Sequence, residues 1–307
     1  MTSGEKPVEK YGADFGLDKP LDETILYEKV DTHIAKVILN RPERHNALFL
    51  PDMWGELRRK IDLGIQDDGV KVIILCANGK NFCAGDDLRR APAEAFGLRP
   101  RQRLGQSKRI LGMWNMRDDL FPATLYCPKT IIASCQGAVL AGGLYPALGA
   151  ELLIASEDAY FAHPGMRIGF GGFEPALQLL LLRMGPTRAR EFLLTTRRIS
   201  AQEGKEWGFV NSVVPKDKLE EETMRFAKAV AAHSTDGLMI GRIQMHMFWD
   251  LMGMRASMGS AACLAHPLFT NMVWRDDEVN FLKYRSEHGI KEAFDKVKSA
   301  WADLGFD

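Results

Sequence analysis

The sequence predicts an α/β protein that ends in an all-helical module. Two apolar runs of strand length, Val72 to Cys76 (VIILC) and Thr130 to Cys135 (TIIASC), each lead into a turn of small residues and then a helical pattern. Strand and helix patterns alternate in this way as far as His233, and beyond it no strand signal remains.

Residues 1–24 are polar with several Gly and Pro, and read as an N-terminal extension. Ile25 to Asn40 alternates as a hairpin turning at Asp31 to His33. Pro51 to Asp67 is helical, with Pro in the first turn and Met53, Leu57, Ile61 and Ile65 at a spacing of four. The strand Val72 to Cys76 enters the turn Asn81 to Leu88 (NFCAGDDL), and an irregular stretch follows from Arg89 to about Tyr126. The strand Thr130 to Cys135 enters the second turn and its helix, Gln136 to Leu148 (QGAVLAGGLYPAL). Strands are expected at Leu152 to Ala155 and Ala159 to Ala162, and helices at Glu174 to Met184, Pro186 to Thr195 and Ala201 to Gly208. A short strand, Val210 to Val214, precedes a helix from Leu219 to about His233, and the tail reads as helices over roughly 237–262, 266–286 and 289–304. The expected division is an extension (1–24), a core carrying the site (25–235) and a helical segment (236–307).

Forty basic residues balance forty acidic ones, so no global field attracts nucleic acid or acidic lipid. No apolar stretch approaches the ~20 residues that span a bilayer. The polar N-terminus matches neither a secretory signal nor an Arg-rich transit peptide. Five cysteines form no C-x-x-C pair, and several sit in or beside strand-like runs, which suits buried free thiols. The expectation is a reduced, cytoplasmic protein without a metal site.

NRPERHNAL (Asn40 to Leu48), FCAGDDL (Phe82 to Leu88) and the Gly142-Gly143 turn, in this order, resemble the enoyl-CoA hydratase/isomerase (crotonase) superfamily. The resemblance runs from about Ile25 to about Phe294. It implies a crotonase-like spiral of β-β-α units, with a C-terminal helical segment that builds a homotrimer or a dimer of trimers. It implies an acyl-CoA substrate, with coenzyme A carried as part of the thioester and no separate cofactor. The backbone N–H groups of Ala84 and Gly142 would form an oxyanion hole for the thioester carbonyl, at turns whose small residues let a ligand approach the backbone. Arg44, His45, Ala47, Asp86, Asp87, Leu88, Ala141, Gly142, Tyr145, Pro164 and Gly165 would line the substrate path, with Asp87 structural.

The chain departs from the hydratases of that superfamily at both catalytic glutamates. One belongs three residues after the hole glycine, where Tyr145 stands, and the other falls at Gly165. A phenol is a poor general base at neutral pH and glycine is none, so hydration by two glutamates is disfavoured. The acid/base candidates that remain are Glu174, within one position of an aspartate used by some relatives, His163 on the second strand pair, and Tyr145 as a hydrogen-bond donor. Each has a structural reading beside it: a helix-start acid, a satisfied strand histidine and a space-filling ring. The segment Glu94 to Arg109 is locally basic and falls where the superfamily roofs its acyl pocket. The expected activity is therefore isomerisation, C–C cleavage or hydrolysis through a thioester enolate. A non-catalytic acyl-CoA-binding relative and a β-diketone hydrolase are the alternatives.

Overall fold

The hairpin of β1 (Ile25–Asp31) and β2 (Ile34–Leu39) opens a six-stranded sheet and is its antiparallel part. The computed structural model describes residues 19–48, 52–88, 105, 107, 122–168, 176–258 and 272–305. From β2 the sheet continues in parallel through β3 (Val72–Ala77), β4 (Thr130–Cys135), β6 (Leu152–Ser156) and β9 (Ser212–Val214). Parallel central strands are covered on both faces, which is why β3 is an unbroken apolar run and β4 is fully buried, its two hydroxyl residues Thr130 and Ser134 included. Ile73, Leu75, Ile131 and Ala133 point to one side, where Trp54, Leu57 and Ile61 of the helix Asp52–Gln66 pack on them. Val72, Ile74 and Ile132 point to the other, against Leu219 and Ala227 of the helix Leu219–Ala231.

A second, three-stranded sheet has the order β5 (Ala138–Leu140), β7 (Tyr160–Ala162), β8 (Ile199–Ser200). It holds together the regions that carry the site. The architecture matches the expected α/β spiral of β-β-α units followed by a helical C-terminal segment.

Several local expectations change. Leu21–Thr24 forms a helical turn at the end of the expected extension, and Pro122–Leu125 forms another within the stretch read as irregular. The region Gln136 to Leu148 contains β5 and a turn of 3-10 helix, Ala141–Gly143, before the α-helix Leu144–Gly149 begins. Ala176–Thr195 is broken at Gly185, where φ is 73°, so two helices meet there as the sequence indicates. The first tail helix, Thr235–Leu251, ends before Gly253 (φ 76°), and residues 272–280 are not helical. Phe281–His288 and Ile290–Trp301 complete the tail. They fold back on their own chain, with Phe281, Ala293 and Val297 packed on Ile168 and the Arg167 guanidinium 4.2 Å from the centre of the Trp301 ring. Thr235–Leu251 leaves Ile240, Ile243, Met247, Phe248 and Leu251 exposed. Among the described residues no helix is long and apolar enough to cross a membrane.

Candidate active site

Two chain reversals meet beside the end of β3, and their residues dictate the meeting. Phe82 N–H donates to Gln136 O at 2.7 Å, Cys83 N–H to Ala138 O at 2.9 Å, and Leu140 N–H to Cys83 O at 2.9 Å. The two turns separated in sequence are thus one short parallel ladder in space. Gly85 has φ of 89°, and a Cβ there would sit 2.9 Å from Leu140 O, so both conformation and contact demand glycine.

The NRPERHNAL motif is the scaffold behind this ladder. Pro42–Arg44 makes one 3-10 turn, and His45 and Asn46 follow with φ of 52° and 54°. Asn46 accepts from Arg41 N–H at 2.7 Å and donates to the carbonyls of Asn78 and Asn81 at 2.9 and 2.8 Å. The fully buried Arg41 donates to Ala47 O at 2.8 Å and pairs with Asp87 Oδ2 at 3.2 Å. Asp87 therefore anchors the turn, as its structural role requires. His45 is exposed, and its Nδ1 lies 2.9 Å from Asn81 Nδ2. Arg44, Ala47 and Leu88 are half-buried around the same edge.

The first hole amide differs from the expectation. Ala84 N–H donates to His45 O at 3.0 Å, so it is spent inside the scaffold and does not face a ligand. Leu48 bridges Asp86 in parallel, through Leu48 N–H to Gly85 O and Asp87 N–H to Leu48 O, both 2.8 Å. In such a bridge the N–H of Asp86 itself points away, toward the second turn. Among the described residues neither Asp86 N–H nor Gly142 N–H has an acceptor. The pair of unspent amides belongs to Asp86 and Gly142, and the Ala84 assignment is corrected by two residues. Ala141, at φ 44°, delivers Gly142 into this position.

The side chain of Asp86 stands against the same point. A Cβ on Gly142 would lie 3.0 and 3.2 Å from the two Asp86 carboxylate oxygens. Asp86 keeps partial solvent access but is otherwise enclosed, and burial pushes its carboxyl up to about 6 while the Trp54 indole N–H pulls the other way. That indole N–H is buried without a hydrogen-bond partner of full geometry.

Tyr145, on the helix Leu144–Gly149, is buried with its ring stacked on Trp54 at 6.2 Å. Its hydroxyl lies 3.2 Å from Nε2 of His163, which follows β7. Burial drives the His163 imidazole down to about 4, so it is neutral at physiological pH. The direction of this hydrogen bond follows the imidazole tautomer. The fold thus brings Tyr145 and His163 together as an uncharged pair. Pro164 is half-buried and Gly165 buried just beyond them, with no carboxylate at either place. Glu174 and most of Glu94 to Arg109 lie outside the described residues. A cavity of about 240 Å³ lies elsewhere, between the large sheet and Leu219–Ala231, lined by Lys36, Cys76, Gln136, Lys216 and Glu220.

Sequence reasoning did not single out Trp54 and treated Asp86 as part of the lining. The doubled acid in FCAGDDL held the signal, since one of two adjacent carboxylates must point away from the partner of the other.

A profile of the family described as "Enoyl-CoA hydratase/isomerase" matches residues 29–248. A putative enoyl-CoA hydratase of Thermus thermophilus is 33% identical over 223 residues, covering 72% of this chain and 83% of that protein. A probable enoyl-CoA hydratase of Mycobacterium tuberculosis is 30% identical over 236 residues, 76% of this chain and 81% of the relative. The crystal structure of an enoyl-CoA hydratase/isomerase from Xanthobacter autotrophicus superposes with a TM-score of 0.71 at 30% identity, covering 92% of this chain and 98% of that one.

Proposed function

The chain belongs to the enoyl-CoA hydratase/isomerase family, and from that premise we propose that it processes an acyl-CoA through a thioester enolate, as an isomerase, lyase or hydrolase and not as a two-glutamate hydratase. The observation that carries this reading is the pair of unspent amides, Asp86 and Gly142, facing a site where Tyr145 and His163 form a neutral pair and Gly165 offers no side chain. Each amide aimed at a developing oxyanion typically contributes ~10²–10³ in rate. Hydration additionally needs a base to activate water and an acid to protonate carbon, and neither a phenol nor a neutral imidazole supplies the required carboxylates. The enolate itself needs the hole and one proton carrier. Glu174 keeps its candidacy as that carrier on the strength of its sequence position.

Purified protein should bind butyryl-CoA, isomerise a β,γ-enoyl-CoA or cleave an acyl-CoA substrate, and hydrate crotonyl-CoA poorly. Crotonyl-CoA hydration near the diffusion limit would overturn the reading. Binding without turnover across these substrate classes would favour the non-catalytic relative instead.

A further inference from the structure

We infer that the Asp86 carboxylate is a catalytic base of this site, taking a proton from the α carbon of the bound thioester. The inference rests on the acyl-CoA reading above and deepens it.

Its geometry follows from one residue performing two tasks. The Asp86 N–H points toward the second turn, and the Asp86 carboxylate stands over Gly142, at whose Cβ position its oxygens would lie 3.0 and 3.2 Å away. A thioester oxygen held by both amides sits about 3 Å from each nitrogen. The α carbon is two bonds from that oxygen, so it lies within a few ångströms of the carboxylate, close enough for proton transfer directly or through one water. Glycine at 142 is what leaves room for the carboxylate. The buried Trp54 indole N–H acts on the same carboxyl and favours its ionised form, though short of full hydrogen-bond geometry.

Charge accounting gives the second argument. An Asp86 that stayed ionised while an enolate formed about 4 Å away would oppose the hole by roughly the thousandfold that one donor contributes. An Asp86 that takes the proton removes the conflict. The α C–H bond breaks, its proton forms the O–H bond of the acid, and the electron pair moves onto the thioester oxygen. The negative charge moves from Asp86 to the thioester oxygen, so the step adds none. Among the described residues no other charged group is set against Asp86. Asp87 is paired with Arg41, the adjacent Cys83 thiol is pushed up to about 12, and His163 is neutral in its contact with Tyr145. A carboxyl near 6 is ionised at neutral pH yet far more basic than an exposed aspartate.

Incubating the full-length protein with butyryl-CoA and phenylacetyl-CoA in deuterium oxide tests this, with deuterium at the α carbon read by mass spectrometry. The parent should exchange, and its rate should rise with pH through about 6. Asp86→Asn should lose at least ~10² of that rate while keeping its circular dichroism spectrum and thioester affinity. If Asp86→Asn exchanges like the parent, or Glu174→Gln alone abolishes exchange, the inference fails and the acyl-CoA reading stands. A parental rate that falls as pH rises through the same range overturns it too, because Asp86 would then act protonated, as a hydrogen-bond donor to the oxyanion. A parent that binds the thioesters without exchange, or binds neither, sinks the enolate reading itself.

Discussion

Replacing Asp86 with asparagine should stabilise the protein, and do so only where the aspartate is ionised. The folded state raises this carboxyl from the ordinary 3.8 to about 6. At about 1.4 kcal/mol for each pKa unit, holding the charge costs the folded protein about 3 kcal/mol, an upper bound because the side chain keeps partial solvent access. The sign follows from the direction of the shift. A group with a raised folded pKa binds its proton more tightly when folded, so the folded state is favoured below about pH 4, and that advantage drains away as pH rises toward about 6. Asparagine does not titrate. The difference in melting temperature between Asp86→Asn and parent should therefore open across this interval and level off above it. For a chain of this length it should reach about 6 °C, taking about 2 °C per kcal/mol. Thermal melts by circular dichroism at a series of pH values between about 4 and 8 measure it. A difference that stays flat across that range would mean the carboxylate is not enclosed as the structure places it.

Other outcomes follow from the same geometry. Gly142→Ala sets a methyl about 3 Å from the Asp86 carboxylate and crowds the hole, so turnover should fall by ~10²–10³ with little change in melting temperature. Arg41→Met strips the partner from a buried Asp87, and urea unfolding should show a loss of about 3–5 kcal/mol. Light scattering of the full chain should report a trimer or hexamer, because Thr235–Leu251 presents Ile240, Met247, Phe248 and Leu251 to solvent. Removal of the chain from Thr270 onward should leave insoluble or dissociated protein. A monodisperse full-length monomer would contradict this expectation.

The large sheet was legible because its central strands are buried on both faces. Val72 to Cys76 and Thr130 to Cys135 carry no polar alternation to confuse them, and their ends are marked by small-residue turns. Of the second sheet only β7 was legible, as the strand Ala159 to Ala162; β5 and β8 are two or three residues long, below the span over which any period shows. In the tail, Gly253 at φ 76° interrupts the helix expected over roughly 237–262, and residues 272–280 are not helical although they fall within the span expected to be. The turn that carries the proposed hole was singled out in the sequence, but which of its amides is left unspent was not. Successive N–H groups in an extended segment point to opposite sides, and only the pairing of Leu48 with Asp86 fixes which side faces the ligand.

The same alternation is what lets the proposed chemistry find a carboxylate although neither Tyr145 nor Gly165 supplies one. Asp86 and Asp87 are neighbours, so the backbone sends them in opposite directions: one to Arg41, where it holds the scaffold, and one to Gly142, beside the proposed hole. Tyr145 stands where the family resemblance places a hydratase acid, in contact with a His163 that burial keeps neutral. A hydratase must manage two proton events on opposite partners, water and carbon, and its second carboxylate serves that division. Moving a proton between two carbons of one acyl chain uses a single base that accepts and returns it, while the enolate waits in the hole. If Asp86 is the base proposed above, one carboxylate beside the oxyanion, with Tyr145 and a neutral His163 near it among the described residues, suits the one-proton reaction better than the two-proton one. This is why isomerisation is the first activity to assay, ahead of cleavage and hydrolysis.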